Sequence, residues 1–283
     1  MSSKRRVVVT GLGIVSPLGN DLETTWKNIL NGESGAARIT KFDASDFSTT
    51  FAAELKGYDD ISGLTQKETR RIDPFVQYAL TASNQAITDA NLALENLDTK
   101  RIGVSIGSGI GGLGSIEDNS IILKEKGPKK ISPFFVPGAI INMASGNVAI
   151  KYNLQGPNIS IVSACSSAGH SIGYSARTIS YGDADIMITG GSEAGITPLG
   201  LAGFNASKAL STNNENPKKA SCPWDKKRDG FLLGEGSGIL VLEELDFARN
   251  RGAKIYGEGV GFGQSDDAFH ITAPAEDGRG AYN

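Results

Sequence analysis

The stretch NISIVSACSSAGHSIGYSARTISYGDADIMITG, residues 158–190, decides how this sequence folds. Asn158 to Ala164 is an apolar, β-branched run that reads as a strand, Ser167 to Ser180 reads as a helix, and Ala184 to Gly190 reads as a second strand. A strand, a helix and a strand in that order form a βαβ crossover, so the sheet is at least partly parallel and the fold is α/β. Cys165 stands where the first strand turns into the helix, with only small residues around it. A thiol placed there meets the positive end of the helix macrodipole, which favours the nucleophilic thiolate. The arrangement is like the nucleophile elbow of hydrolases, where small neighbours permit a sharp turn and expose the reacting atom. A packed structural cysteine is the competing reading.

Working outward, Arg6 to Thr10 reads as a buried strand closed by a turn at Gly11-Leu12-Gly13. Asp21 is placed to cap a helix over Leu22 to Leu30, and Asp73 followed by Pro74 starts a helix that runs to about Ala90. Ser34 to Leu64 lacks a long period and reads as surface excursions. Beyond it come a strand at Arg101 to Ile106, a glycine-rich turn at Gly107 to Gly112, and helices at Ser115 to Glu125 and Ala139 to Ile150. Gly238 to Glu243 and Ile255 to Phe262 read as strands around a helix at Leu245 to Arg251.

The 283 residues are 39% hydrophobic and 21% charged, enough to bury a real core. The net charge of -3 excludes any general attraction to nucleic acid or anionic membrane, so an acidic partner needs a local basic patch. Met1 to Arg6 is basic, but the apolar run after it is too short for a signal peptide, and no stretch approaches the roughly 18 apolar residues of a membrane span. The expected location is cytoplasmic, with Cys165 and Cys222 as free thiols and no metal site. Cys222 sits in a polar loop and reads as a bystander.

Two histidines are the available bases. His170 follows Cys165 by five residues, about 140° round a helix, and reads as structural; His270 lies in a loop from which it could reach a site. Neither glycine turn binds a nucleotide: Gly11-Leu12-Gly13 lacks the third glycine of a dinucleotide fingerprint, and Gly107 to Gly114 lacks the lysine end of a phosphate loop. Both are better explained by close helix-on-strand packing, and a dehydrogenase is disfavoured.

Six segments, in order along the chain, resemble the elongating β-ketoacyl-acyl-carrier-protein synthases of type II. They are Val7 to Gly13, Gly107 to Gly114, Ile131 to Pro137, Ala164-Cys165-Ser166-Ser167, Tyr181 to Asp185, and Arg228-Asp229-Gly230-Phe231. The resemblance implies a thiolase-like fold, layered α-β-α-β-α from two similar halves, a homodimer, and no cofactor. It divides the chain into an N-terminal half at 1–253 and the beginning of a second half at 254–283, the remainder of which is expected to be missing. Cys165 would then accept an acyl group from acyl carrier protein, and malonyl carrier protein would decarboxylate and attack the thioester. Ile110, Phe204 and His270 take the family's positions at the acyl pocket and its entrance, and Phe134 a position near the dimer interface. Lys67, Arg70 and Arg71, joined by Lys129 and Lys208, take the positions for binding the acidic carrier. An ordinary solvated basic face is the alternative for those five.

The family's His-Gly-Thr and Gly-His motifs do not occur in these residues. The resemblance therefore implies that this chain alone does not complete condensation, and that apolar surface stands exposed. A carrier-binding subunit without activity and a coenzyme A-dependent enzyme of the same fold are the competing functions.

Overall fold

In a computed structural model, which describes residues 5–58 and 63–283, the side chains of the long strands divide between two buried clusters. Ile102, Val104, Ile106, Ile186, Ile188, Ile239 and Val241 share one cluster, whereas Val7, Met187 and Leu242 share another with Ile179. That alternation belongs to a sheet buried on both faces. Met1 to Lys4 of the basic opening, and residues 59–62, lie outside the described residues; the segment expected as surface excursions is in part core, with Ala44, Phe51 and Ala52 buried.

The chain runs β1 (Val7–Val15), α1 (Leu22–Leu30), β2 (Ala37–Arg38), β3 (Phe51–Ala52), α2 (Gln66–Thr69), α3 (Pro74–Asp89), β4 (Ile102–Gly107), α4 (Leu113–Lys126) and α5 (Phe135–Ala139). It continues through α6 (Met143–Tyr152), β5 (Asn158–Ile159), α7 (Ser167–Tyr181), β6 (Ile186–Ala194), α8 (Pro198–Ala206), β7 (Glu235–Glu244), α9 (Leu245–Asn250), β8 (Gly257–Glu258) and α10 (Arg279–Tyr282). The main sheet has the order β5-β4-β6-β7-β1-β8, with β5 and β6 parallel to β4 and with β7, β1 and β8 joined antiparallel. Helices α3 and α6 cover one face and α7 the other. The crossover at Cys165 is present, but its two strands flank β4 and do not pair with each other.

Local chemistry accounts for the helix starts. The Asp21 carboxylate accepts from Thr24 N–H, and Asp73 caps α3 by accepting from Phe75 N–H ahead of Pro74. Asp73 also accepts from the Ser115 N–H and hydroxyl, at 3.0 and 2.8 Å, so one carboxylate ties α3 to the first turn of α4. Burial pushes its pKa up, against the pull of those hydrogen bonds.

Four further expectations are corrected. β1 runs through Gly11 and Gly13 without a turn, because those glycines let α3 lie against the strand: a Cβ at either would stand 2.2 or 2.0 Å from a backbone oxygen of that helix. The strand expected at Asn158 to Ala164 ends after Ile159, as an edge strand whose chain leaves the sheet to form the turn at Cys165. The strand at Ile255 to Phe262 shrinks to Gly257–Glu258 at the other edge, beside β1 alone. The helix expected over Ala139 to Ile150 is two helices, α5 and α6, broken at Ile140, whose backbone is extended.

Asp185, just before the interior strand β6, pairs with two arginines: Arg5 at 2.6 Å and Arg101 at 3.0 Å. The Arg101 hydrogen bond, helped by Arg5, holds the Asp185 carboxyl below the usual carboxylate range. The folded pKa thus lies under the unfolded value of about 3.9, and the stabilisation is complete above that value and lost as pH falls through the folded pKa. Asp185→Asn is expected to lower the urea midpoint at pH 7. Well below the carboxylate range the variant and the parent should unfold together, and a gap that persists there would show that the charge is not responsible.

Candidate active site

Cys165 is exposed, on a turn of 3-10 helix over Ala164–Ser166 that feeds directly into α7. Ala164 has φ +52°, a left-handed conformation that an alanine adopts only under constraint. Ser167 supplies part of that constraint, since its hydroxyl accepts from Ser163 N–H at 2.9 Å and donates to the Ala164 carbonyl at 2.7 Å. The strand beside the turn must be bare, because a Cβ on Gly107 would lie 2.6 Å from the Ser167 carbonyl oxygen. The elbow is thus a close contact between the ends of β4 and α7.

The thiol borders a cavity of about 760 Å³ with mainly apolar walls. Its lining comes from the carboxyl ends of β1, β4 and β6 and the amino end of β7: Ile14 and Val15, Gly107 to Ile110, Gly191 to Glu193, and Glu235 to Gly238. Phe204, Phe231 and Leu233 add apolar surface, with the two rings edge to face at 5.4 Å. Strand carboxyl ends are the usual place for ligands in an open α/β sheet.

Glu193, which sequence reasoning missed, holds another part of the wall. Its carboxylate accepts from Gly109 N–H at 2.6 Å, the Ser108 hydroxyl at 3.0 Å and Ile110 N–H at 3.3 Å, and so fixes the loop that presents Ile110 to the cavity. An acidic residue ending an apolar strand, in Gly190-Gly191-Ser192-Glu193, was the available signal. Glu235, at the cavity edge, is fully buried at its side chain and paired with Lys41 Nζ at 2.5 Å.

The structure brings Cys165, Ile110 and Phe204 to one cavity. It does not bring His270 there: that ring is exposed, and its Nδ1 accepts from Thr272 N–H and Ala273 N–H, each at 3.1 Å. Lys67, Arg70, Arg71, Lys129 and Lys208 are all exposed, and among the described residues none forms an ion pair. Arg71 stacks over the Phe134 ring at 4.5 Å, tying the end of α2 to the segment that follows Lys129. Cys222 lies in a separate cleft with Lys218, Lys219 and Lys227. Among the described residues no helix is long and apolar enough to cross a membrane. Large apolar side chains do stand exposed: Val162 before the elbow, Tyr174 and Tyr181 on α7, and Val260, Phe269 and Ile271 after β8.

Known proteins share this fold. The chain is 56% identical to a 3-oxoacyl-[acyl-carrier-protein] synthase 2 of Vibrio cholerae over 98% of its own length and 67% of that protein's. A crystal structure of a β-ketoacyl synthase from Burkholderia phymatum superposes with a TM-score of 0.87 at 33% identity, covering 96% of this chain and 67% of that one. A type II polyketide ketosynthase in complex with its acyl-carrier protein, bound to the hexaketide, also gives 0.87 at 34% identity, covering 98% and 67%. The pattern of the β-ketoacyl synthase N-terminal domain matches residues 4–248, and the chain belongs to the β-ketoacyl synthase family.

Proposed function

We propose that this chain carries the acyl-accepting nucleophile, Cys165, of a 3-oxoacyl-[acyl-carrier-protein] synthase, an enzyme that extends acyl chains by two carbons. One observation carries the reading: an exposed thiol on a constrained elbow at the start of α7, opening onto a large apolar cavity. The Cys165 thiolate attacks the carbonyl of an acyl thioester on the carrier protein. The bond from that carbonyl to the carrier's sulfur breaks, the carrier leaves as a thiolate that takes up the proton lost when the Cys165 thiol ionised, and the acyl group remains on Cys165. The developing oxyanion lies at the start of α7, where Cys165 N–H, given no acceptor among the described residues, would receive it. Ile110, Phe204 and Phe231 would surround the hydrocarbon tail.

In the second half-reaction malonyl carrier protein loses carbon dioxide, the resulting carbanion attacks the Cys165 thioester, and the thiolate leaves. Neither His170 nor His270 lines the cavity, so this step draws on no histidine of these 283 residues. The carrier is acidic by this reading and would be met by Lys67, Arg70 and Arg71, with Lys129 and Lys208 outlying. The polyketide ketosynthase relative, which is seen with its carrier protein, supports a partner of that kind.

The test is placed on the first half-reaction. Incubation with acyl carrier protein bearing a saturated acyl thioester, followed by intact mass and peptide mapping, should show one acyl group on Cys165 and none in Cys165→Ala. Folded protein that stays unmodified, or that is acylated at Cys222 instead, would remove the proposal.

A further inference from the structure

His170 does not line the cavity and forms no hydrogen bond with the thiol, yet its ring reaches the turn that carries Cys165. Its Nδ1 lies 2.6 Å from the Ser163 hydroxyl. Ser163 is the residue from which the elbow departs: its backbone, at φ -144° and ψ 45°, belongs to neither strand nor helix, and the left-handed Ala164 follows it. We infer that His170 is a positioning residue for Cys165, acting through Ser163; the inference rests on the reading of Cys165 as nucleophile.

A left-handed alanine relaxes toward ordinary backbone unless the residues on both sides are held. Ser167 holds the main chain of Ser163, and His170 holds its side chain, so residue 163 is fixed at two points. Ser167 and His170 are three apart on α7 and therefore share a face, the one that looks back over the start of the helix. The imidazole is itself held from the far side. The Phe262 ring stands edge-on to it, with centroids 6.2 Å apart, and occupies the space above Gly173, where a Cβ would come within 2.2 Å of that ring. Arg177 stacks over Phe262 at 5.0 Å. His170 is thus confined between the elbow and the segment after β8, and the hydrogen bond it can form there goes to the residue two positions before the nucleophile. Helical spacing from Cys165 hid this role, because Cys165 precedes α7 and the wheel begins at Ser167.

The experiment compares the rates at which iodoacetamide alkylates Cys165 and Cys222 in the folded chain, read by peptide mass spectrometry, with Cys222 as the internal reference. The parent should react faster at Cys165. His170→Ala should slow Cys165 about tenfold, the effect of one lost hydrogen bond, and leave Cys222 unchanged. His170→Asn, whose amide reaches the Nδ1 position, should recover most of the rate. Ser163→Ala should match His170→Ala, and the double variant should be no slower than either single one, because both remove the same bond. A purely structural histidine would give neither the asparagine rescue nor this non-additivity. An unchanged Cys165 rate in His170→Ala, or additive losses in the double variant, overturns the inference. If His170→Ala does not fold, Ser163→Ala and His170→Asn decide the matter. A parent in which Cys165 reacts no faster than Cys222 overturns the nucleophile reading first, and the inference falls with it.

Discussion

Replacing Arg251 with leucine is expected to destabilise the fold by about 3–5 kcal/mol, the effect of stripping one partner from a buried ion pair. The Glu243 side chain is 0% exposed and the Arg251 side chain 19%. The guanidinium grips the carboxylate with two nitrogens, at 2.7 and 2.5 Å, and donates from Nη2 to the Ala90 carbonyl at 2.8 Å, where α3 ends. Thr10 donates its hydroxyl to the same carboxylate, from a bulge in β1 that shifts the register between Val9 and Gly11. One charge pair therefore ties β1, β7, α3 and the end of α9 together at the end of the sheet remote from Cys165. Without Arg251 the Glu243 carboxylate would stay buried with one hydroxyl for support. Urea unfolding at neutral pH measures the loss. The double variant Glu243→Leu with Arg251→Leu should be markedly more stable than Arg251→Leu alone, since no charge is then stranded. A single variant within about 0.5 kcal/mol of the parent, the range of an ordinary surface change, would show that Arg251 is not the anchor described.

Gly13→Ala is the second change expected to have a large effect, about 3 kcal/mol, at the upper end of ordinary overpacking. The added Cβ would stand 2.0 Å from the Ala82 carbonyl oxygen and 2.7 Å from Ala86 N, both main-chain atoms of α3. No side-chain rotation relieves such a clash, so strand and helix must separate. Because Ile14 and Val15 line the cavity, the separation would also disturb its wall, and acyl transfer to Cys165 should fall together with the melting temperature. Gly261→Ala is the matched control: it has open space around its Cβ position and should change stability by no more than about 0.5 kcal/mol. Equal stability in the two variants would mean that α3 does not sit this close to β1.

Much of the frame was legible before any coordinates. Asp21 and Asp73 sit at the caps that their side chains suggest, Pro74 stands at the first position of α3, and the crossover around Cys165 is present. These features are written in neighbouring residues, where capping, proline geometry and local apolar period act over a few positions. The glycines of β1 were harder to read: the sequence suggested both a turn and close packing, and only the position of α3 shows that packing alone applies. Likewise, β5 has the composition of a longer strand, but with a neighbour on one side only it ends after Ile159.

The site divides in the same way. Residue order alone determined that a cysteine would stand between a strand and a helix, among residues small enough for a sharp turn. Tertiary structure decided what surrounds it: the left-handed Ala164, the Glu193 carboxylate that holds the Ile110 loop, the reach of His170 to Ser163, and the placement of His270 away from the cavity. Those features join residues distant in the chain or depend on where a helix begins in space. Local sequence fixes the conformational preference of each segment, whereas such contacts exist only after sheet order and helix packing have brought the segments together.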